Sequence, residues 1–165
     1  MKTWTIWQPH ASLIAIGAKH DETSSRPAPK TLRPGDLLAI HAAKRVPPKL
    51  PQELTERICA TLFIIATADW KTLCSLPRGQ VLAIVRFTGC DHTEDCQPSE
   101  NQRLMGDWRP GRWAWHFEVV TSLLGNPIPA KGQQGLWEWE PPAWLAAELA
   151  AGYVSGAIGE RTVAK

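Results

Sequence analysis

The alternation in "KTWTIWQ" (residues 2–8), rich in β-formers, predicts a first strand, and Pro9 suits the first position of a helix that follows it. In "HASLIAI" the spacing of Leu13, Ile14 and Ile16 predicts an inward-packing helical face, and Gly17 supplies the left-handed stop, so the helix is expected over 9–17. A polar loop then runs to the turn signal "LRPGD", which opens into the apolar strand "LLAIHAAK". Pro47, Pro48 and Pro51 break the chain before a helical "QELTERICATLFII" with acids near its start. "PRGQVLAIVRFTGCD" reads as a turn and a long strand, and "CDHTEDCQPSENQRLMGDWRPGR" as a long polar loop with at most one helical turn. "WAWHFEVVTSL" restores strict alternation and predicts a strand. "NPIPAKGQQGLWEWE" predicts an extended segment, a Gly turn and a short strand, and "PPAWLAAELAAG" a terminal helix. Several strands with helices inserted early and late, and no regular βαβ alternation, predict an α+β fold: a small mixed β-barrel with the first helix over its opening and a C-terminal helix. One domain over 1–152 and a tail over 153–165 are expected.

Composition changes this picture little, since 44% hydrophobic and 21% charged residues are ordinary for a folded chain. The distribution of charge changes it more. Residues 1–49 hold eight Lys/Arg and three Asp/Glu, a balance of +5, and the remainder ten against thirteen, a balance of −3. A basic amino-terminal third suggests one cationic face and an anionic partner. No apolar run is long enough to cross a bilayer and "MKTWTIWQPH" lacks a signal-peptide core, so a cytoplasmic protein with no membrane partner is expected. Cysteines 59, 74, 90 and 96 form no C-x-x-C pair, and the Cys90–Cys96 loop reads as an acidic loop with reduced thiols, so no metal is expected. Neither a G-x-G-x-x-G nor a Walker loop occurs, and no cofactor is expected.

The candidate chemistry gathers in "WQPHASLIAIGAKHDETSSRP" (residues 7–27). Lys19 can hold a phosphate as a point charge or, desolvated, act as nucleophile or base; Glu22 can orient it, accept a proton, or receive a hydrogen bond from an exocyclic amine. Each also has a structural alternative, as a loop-stabilising pair. His10 lies near a helix amino terminus, where the neutral imidazole is favoured. Arg26, Lys44 and Arg45 are candidates for phosphate contacts. Most of the nine tryptophans belong in a core. Trp7, Trp108 and Trp115 are the candidates for base-stacking surfaces.

Taken in order, "IWQPHASLIAIGAKHDET", "GDLLAIHAAKR", "VLAIVRFTGC" and "WAWHFEVV…PIPAKGQQGLWEWEPP" resemble the ASCH domain, across about residues 3–142. The anchors are the helix followed by Gly17-x-Lys19-x-x-Glu22 and the terminal Gly135-Leu136-Trp137. The resemblance implies a PUA-like barrel with a cleft beside the first helix, lined by the Lys-x-x-Glu loop, and a role in binding single-stranded RNA or DNA or a modified nucleotide. The residues expected to bind are Trp7, Gln8, Pro9, His10, Lys19, Glu22, Arg26, Lys44, Arg45 and Trp115. A hydrolase, either a ribonuclease or an N4-acetylcytidine amidohydrolase using Lys19, Glu22 and Thr23, is the alternative, and a protein-interaction adaptor the second. A monomer is expected. The chain departs from the family pattern where His10 replaces a tryptophan and where Arg26 takes an aromatic position, the customary arginine being Ser24. On this reading "AKHDETSSRP" is an ordered loop in which Lys19, Glu22 and Thr23 converge on one ligand with Arg26 at the rim.

Overall fold

The computed structural model describes residues 1–64 and 67–152; the expected tail and the last residue of "QELTERICATLFII" lie outside the described residues. Seven strands form one mixed sheet: β1 (Lys2–Ile6), β2 (Asp21–Ser24), β3 (Leu37–Ala42), β4 (Gln80–His92), β5 (Trp113–Ser122), β6 (Ile128–Pro129) and β7 (Leu136–Glu138). The order is β2-β5-β4-β3-β1-β7, with β6 on β4; β1 runs parallel to β3 and the other pairs are antiparallel. The helices are α1 (His10–Ala15), α2 (Gln52–Thr61), α3 (Trp70–Cys74), α4 (Glu100–Leu104) and α5 (Ala143–Ala150).

The sheet is strongly curled. Trp4 on β1 and Trp115 on β5 stand three strand spacings apart, roughly 14 Å on a flat sheet, yet their rings stack with centroids 4.2 Å apart. Only a half-barrel brings the two strands face to face, and its concave side holds the main core: Ile6, Leu38, Ile40, Val85, Phe87, Trp115 and Phe117, closed by Ala11, Ile14 and Ala15 of α1. A register shift in β4 turns both Leu82 and Ala83 into this core, which strict alternation would forbid. The convex side packs Ala39, Val81, Ile84 and Val120 against Leu145 of α5. Leu13, on the outer face of α1, joins Ile58, Cys59, Leu73 and Met105 in a third cluster. The first helix is thus gripped from both sides, which fixes the residues at its two ends.

Two segments differ from the sequence-based expectation. The stretch after Gly17 is not a loop throughout: Asp21–Ser24 is an edge strand, its residues opposite His116–Trp113 of β5. The backbone groups of β5 need partners, and a short polar segment supplies them regardless of its side chains. In addition, α3 interrupts the stretch between α2 and β4, started by Asp69, whose side chain accepts from the Thr72 backbone N–H.

Candidate functional site

Helix α1 ends as Gly17 adopts φ +74°, and the N–H groups of Ala18 and Lys19 both return to the Leu13 carbonyl at 3.0 and 3.1 Å. That turn sends the Lys19 side chain inward. It is 1% exposed, donates to the Met105 carbonyl at the end of α4 (2.8 Å), and lies 3.3 Å from Glu22 Oε2. The ammonium therefore meets a carbonyl at a helix end and a carboxylate. Glu22 lines a cavity of about 280 Å³ together with Trp4, Trp7, Pro9, His10 and Leu50.

Two atoms in this cavity stand out. His10 Nδ1 and Glu22 Oε2 are shut off from solvent and have no hydrogen-bond partner; the Lys19–Glu22 approach is an ion pair without hydrogen-bond geometry. Burial pushes the His10 imidazole below its ordinary value; Glu22 opposes this and Lys19 adds to it. The ring is therefore neutral near pH 7. Gln8 builds the cavity from behind: its amide bonds Ser12 Oγ (2.8 Å) and the Pro77 carbonyl (2.6 Å) and accepts from the Ser12 N–H (3.1 Å), tying α1 to the turn before β4.

Trp7 stands just beyond β1, 41% exposed, and with Thr5 lines both this cavity and a second, larger one of about 1010 Å³. The larger cleft carries Lys44 and Arg45, whose guanidinium lies 5.4 Å from the Trp7 ring centroid, together with Arg78 and Lys131. The last two went unnoticed in the sequence, where each is one cation in a polar turn.

Of the residues expected to bind, Trp7, Gln8, Pro9, His10 and Glu22 line the smaller cavity, and Trp7, Lys44 and Arg45 the larger. The others stand elsewhere. Trp115 is buried under Trp4 as a core ring, its Nε1–H donating to the Arg26 carbonyl, and the Arg26 side chain is exposed and lines neither cavity. Thr23 follows Glu22 on a strand and so points to the opposite face; its hydroxyl accepts from the Asp107 N–H (2.9 Å). The expected convergence of Lys19, Glu22 and Thr23 on one ligand is therefore replaced by Glu22 and His10 facing the cavity, with Lys19 behind. Trp108 is an anchor, its Nε1–H bonded to the Gln102 carbonyl (2.8 Å). All four cysteines are free, and among the described residues no group of three His, Cys, Asp or Glu is placed to hold a metal. No helix among them is long and apolar enough to cross a membrane.

The edge strand that carries Glu22 has a second fastening. His116 on β5 meets Asp21 on β2 (2.7 Å) and Asp91 on β4 (3.1 Å), and the hydrogen bond to Asp21, with smaller help from Asp91, raises its pKa against a lowering by burial. A raised folded-state pKa contributes stability that is complete below the ordinary value of 6.5 and is lost as pH rises through the folded value. The Tm difference between wild type and His116→Gln, followed from about pH 5 to about pH 9, is expected to be largest at the acid end and to shrink towards the alkaline end. A difference that is flat with pH would show that the imidazolium does not hold β2.

Fold and site together define an α+β domain with a curled mixed sheet and a small aromatic cavity opening beside a cationic cleft. By structure the chain is similar to ASCH from Zymomonas mobilis at 13% identity and TM-score 0.48, over 91% of this chain and 93% of that one. It is similar also to a mutant form of ASCH from the same organism, at 14% identity and TM-score 0.47, over 91% and 94%. Both are ASCH structures, and the likeness says nothing of ligand or activity. No protein-family model matches the chain, and no curated relative matches it.

Proposed function

We propose that the chain binds single-stranded nucleic acid or a modified nucleotide, with one base seated in the smaller cavity. The observation that carries this reading is the buried His10 Nδ1, which has no hydrogen-bond partner, and Glu22 Oε2, which has the Lys19 ammonium at 3.3 Å but no hydrogen bond, on two residues that line an otherwise largely apolar and aromatic space. Each buried group left unsatisfied costs about 1–3 kcal/mol, and a ligand that supplies the missing partners recovers that cost. A carboxylate accepts from an exocyclic amine, a neutral imidazole completes the edge as donor or acceptor, and the indole of Trp7 offers its face. The volume, about 280 Å³, suits a single base better than a larger group.

The test is a titration with short RNA and DNA strands and with nucleosides at low salt. Stacking on an aromatic ring is worth about 1–3 kcal/mol per base, so Trp7→Ala is expected to weaken strand binding by about five- to 150-fold. His10→Ala, which removes the unpartnered nitrogen without disturbing the Lys19–Glu22 pair, is expected to weaken nucleoside binding as well. Affinity unchanged in both variants would sink the reading. One observation also favours a hydrolytic version of it: a neutral imidazole with a free nitrogen beside a carboxylate is placed to act as general base, so His10 is a better candidate than the enclosed Lys19. Incubation with labelled RNA and with N4-acetylcytidine, followed for product in wild type and His10→Ala, separates binding from turnover.

A further inference from the structure

We propose that the larger cleft is a phosphate track, so that the ligand is a strand of several nucleotides whose backbone runs past Trp7; this rests on the reading of the smaller cavity as a base pocket. Lys44, Arg45, Arg78 and Lys131 line the cleft and no carboxylate does. Outside the cleft some cations are paired, as Lys2 with Asp36 (3.0 Å), Arg57 with Glu100 (3.6 Å) and Arg109 with Asp107 (2.6 Å). Others, such as Arg26, Lys71 and Arg103, are exposed without an ion pair among the described residues; the four in the cleft differ in lining one concave surface. Among the described residues none of the four cleft cations has a carboxylate within ion-pair distance. A concave surface with four charges of one sign and no internal counter-charge focuses a positive potential on whatever enters it.

The cations come from separate segments held in place. Arg78 Nη1 donates to the Lys44 carbonyl (3.3 Å), fastening the turn before β4 to the end of β3, and Gly79 N–H bonds the Ala42 carbonyl (2.8 Å). Lys131 follows Ala130, whose carbonyl faces His41 Nε2 (3.2 Å). The cleft is therefore largely formed before a ligand arrives, which spares it the cost of ordering loops.

Continuity with the base pocket favours a nucleic-acid backbone over an acidic peptide. Thr5 and Trp7 belong to both cavities, so a base resting on Trp7 has its sugar and phosphate at the mouth of the cleft. The Arg45 guanidinium over Trp7 stands at that junction. A volume of about 1010 Å³ exceeds what one phosphate fills.

The experiment compares a labelled single-stranded decamer, a mononucleoside and a polyglutamate peptide on wild type and on the double variant Arg78→Gln with Lys131→Gln, neither residue lining the base pocket. Each phosphate contact on a single strand contributes about 0.7 to the slope of log affinity against log salt, or about fivefold at 0.1 M. The double variant is therefore expected to bind the decamer about 25-fold more weakly at that salt, with the slope lower by about 1.4, while mononucleoside binding stays unchanged. Three results overturn the track alone: equal decamer affinity in both proteins, a nucleoside bound as tightly as the decamer, or polyglutamate bound in preference to the decamer. If wild type binds neither decamer nor nucleoside, the base-pocket reading falls with it.

Discussion

Lys19→Met is expected to lower stability by about 3 kcal/mol, because breaking a buried ion pair by removing one partner leaves the other charge uncompensated. Lys19 is 1% exposed and its ammonium lies between the Met105 carbonyl and Glu22. Methionine fills much of the space but leaves a largely buried carboxylate without its cation and a helix-end carbonyl without its donor. Glu22→Gln alone is also destabilising, since the ammonium then keeps only the Met105 carbonyl. The double variant Lys19→Met with Glu22→Gln removes both charges and is expected to recover part of the loss, the coupling that a double-mutant cycle isolates. Urea unfolding of the three variants measures it. If Lys19→Met costs under about 1 kcal/mol, the residue behaves as a surface cation and returns to the list of ligand contacts. The outcome also governs how binding data are read, because any loss of affinity in Lys19→Ala is inseparable from damage to the fold.

This role for Lys19 was hidden in the sequence for a physical reason. A lysine in the run Lys19-His20-Asp21-Glu22 has the composition of a solvated turn, and its deciding partner, the Met105 carbonyl, lies 86 residues away. The same holds for β2. "DETS" has no apolar alternation, and its strand character comes from the open edge of β5, not from its own side chains. Trp115 shows a different limit. Alternation placed it on one face of β5 with Trp113, but which face becomes concave depends on the curl, and the curl puts Trp115 under Trp4. Elements whose signal is local were legible: β1, β3, β4 and β5 through apolar runs and alternation, and the helix stop through the glycine at 17, which takes a left-handed φ of +74° in the structure. The helix α3, at five residues, is too short to display a period. Trp7, Gln8, Pro9, His10 and Glu22 could be expected to lie together because they flank one helix, and they line one cavity, whereas Arg78 and Lys131 come from remote segments that meet Lys44 and Arg45 only in the folded chain.

The Arg78 and Lys131 segments are joined by the Ala130 N–H to the Gly79 carbonyl (3.1 Å), and His41 backs the Lys131 side, which gives the clearest steric prediction. Trp137 Nε1–H donates to Thr5 Oγ1 (3.0 Å), Thr5 Oγ1 faces His41 Nδ1 (3.3 Å), and His41 Nε2 faces the Ala130 carbonyl (3.2 Å). A carbonyl only accepts, so Nε2 carries the proton and Nδ1 accepts from the threonine hydroxyl. The ring is thus fixed at both nitrogens, and burial, only partly offset by the Ala130 carbonyl, lowers its pKa and keeps it neutral. Gly132 packs directly on this ring: a Cβ there would lie 2.3 Å from Cε1 and 2.7 Å from Nδ1 of His41. No methyl fits without lifting the segment that carries Lys131 into the cleft. Gly132→Ala is therefore expected to cost about 1–3 kcal/mol, the range for overpacking. It is also expected to weaken decamer binding by about fivefold at 0.1 M salt, the share of one phosphate contact. Gly125→Ala, where a Cβ meets nothing within 4 Å, serves as control and is expected to be near neutral. Adding His41→Ala to Gly132→Ala opens the space the methyl needs, so the two losses are expected to sum to more than the double variant loses. Thermal unfolding and strand titration of wild type, the two single variants, the double variant and the Gly125→Ala control read both effects. An unchanged Tm and unchanged strand affinity in Gly132→Ala would mean that the 130–135 segment is not clamped by His41 and that Lys131 reaches the cleft by some other support.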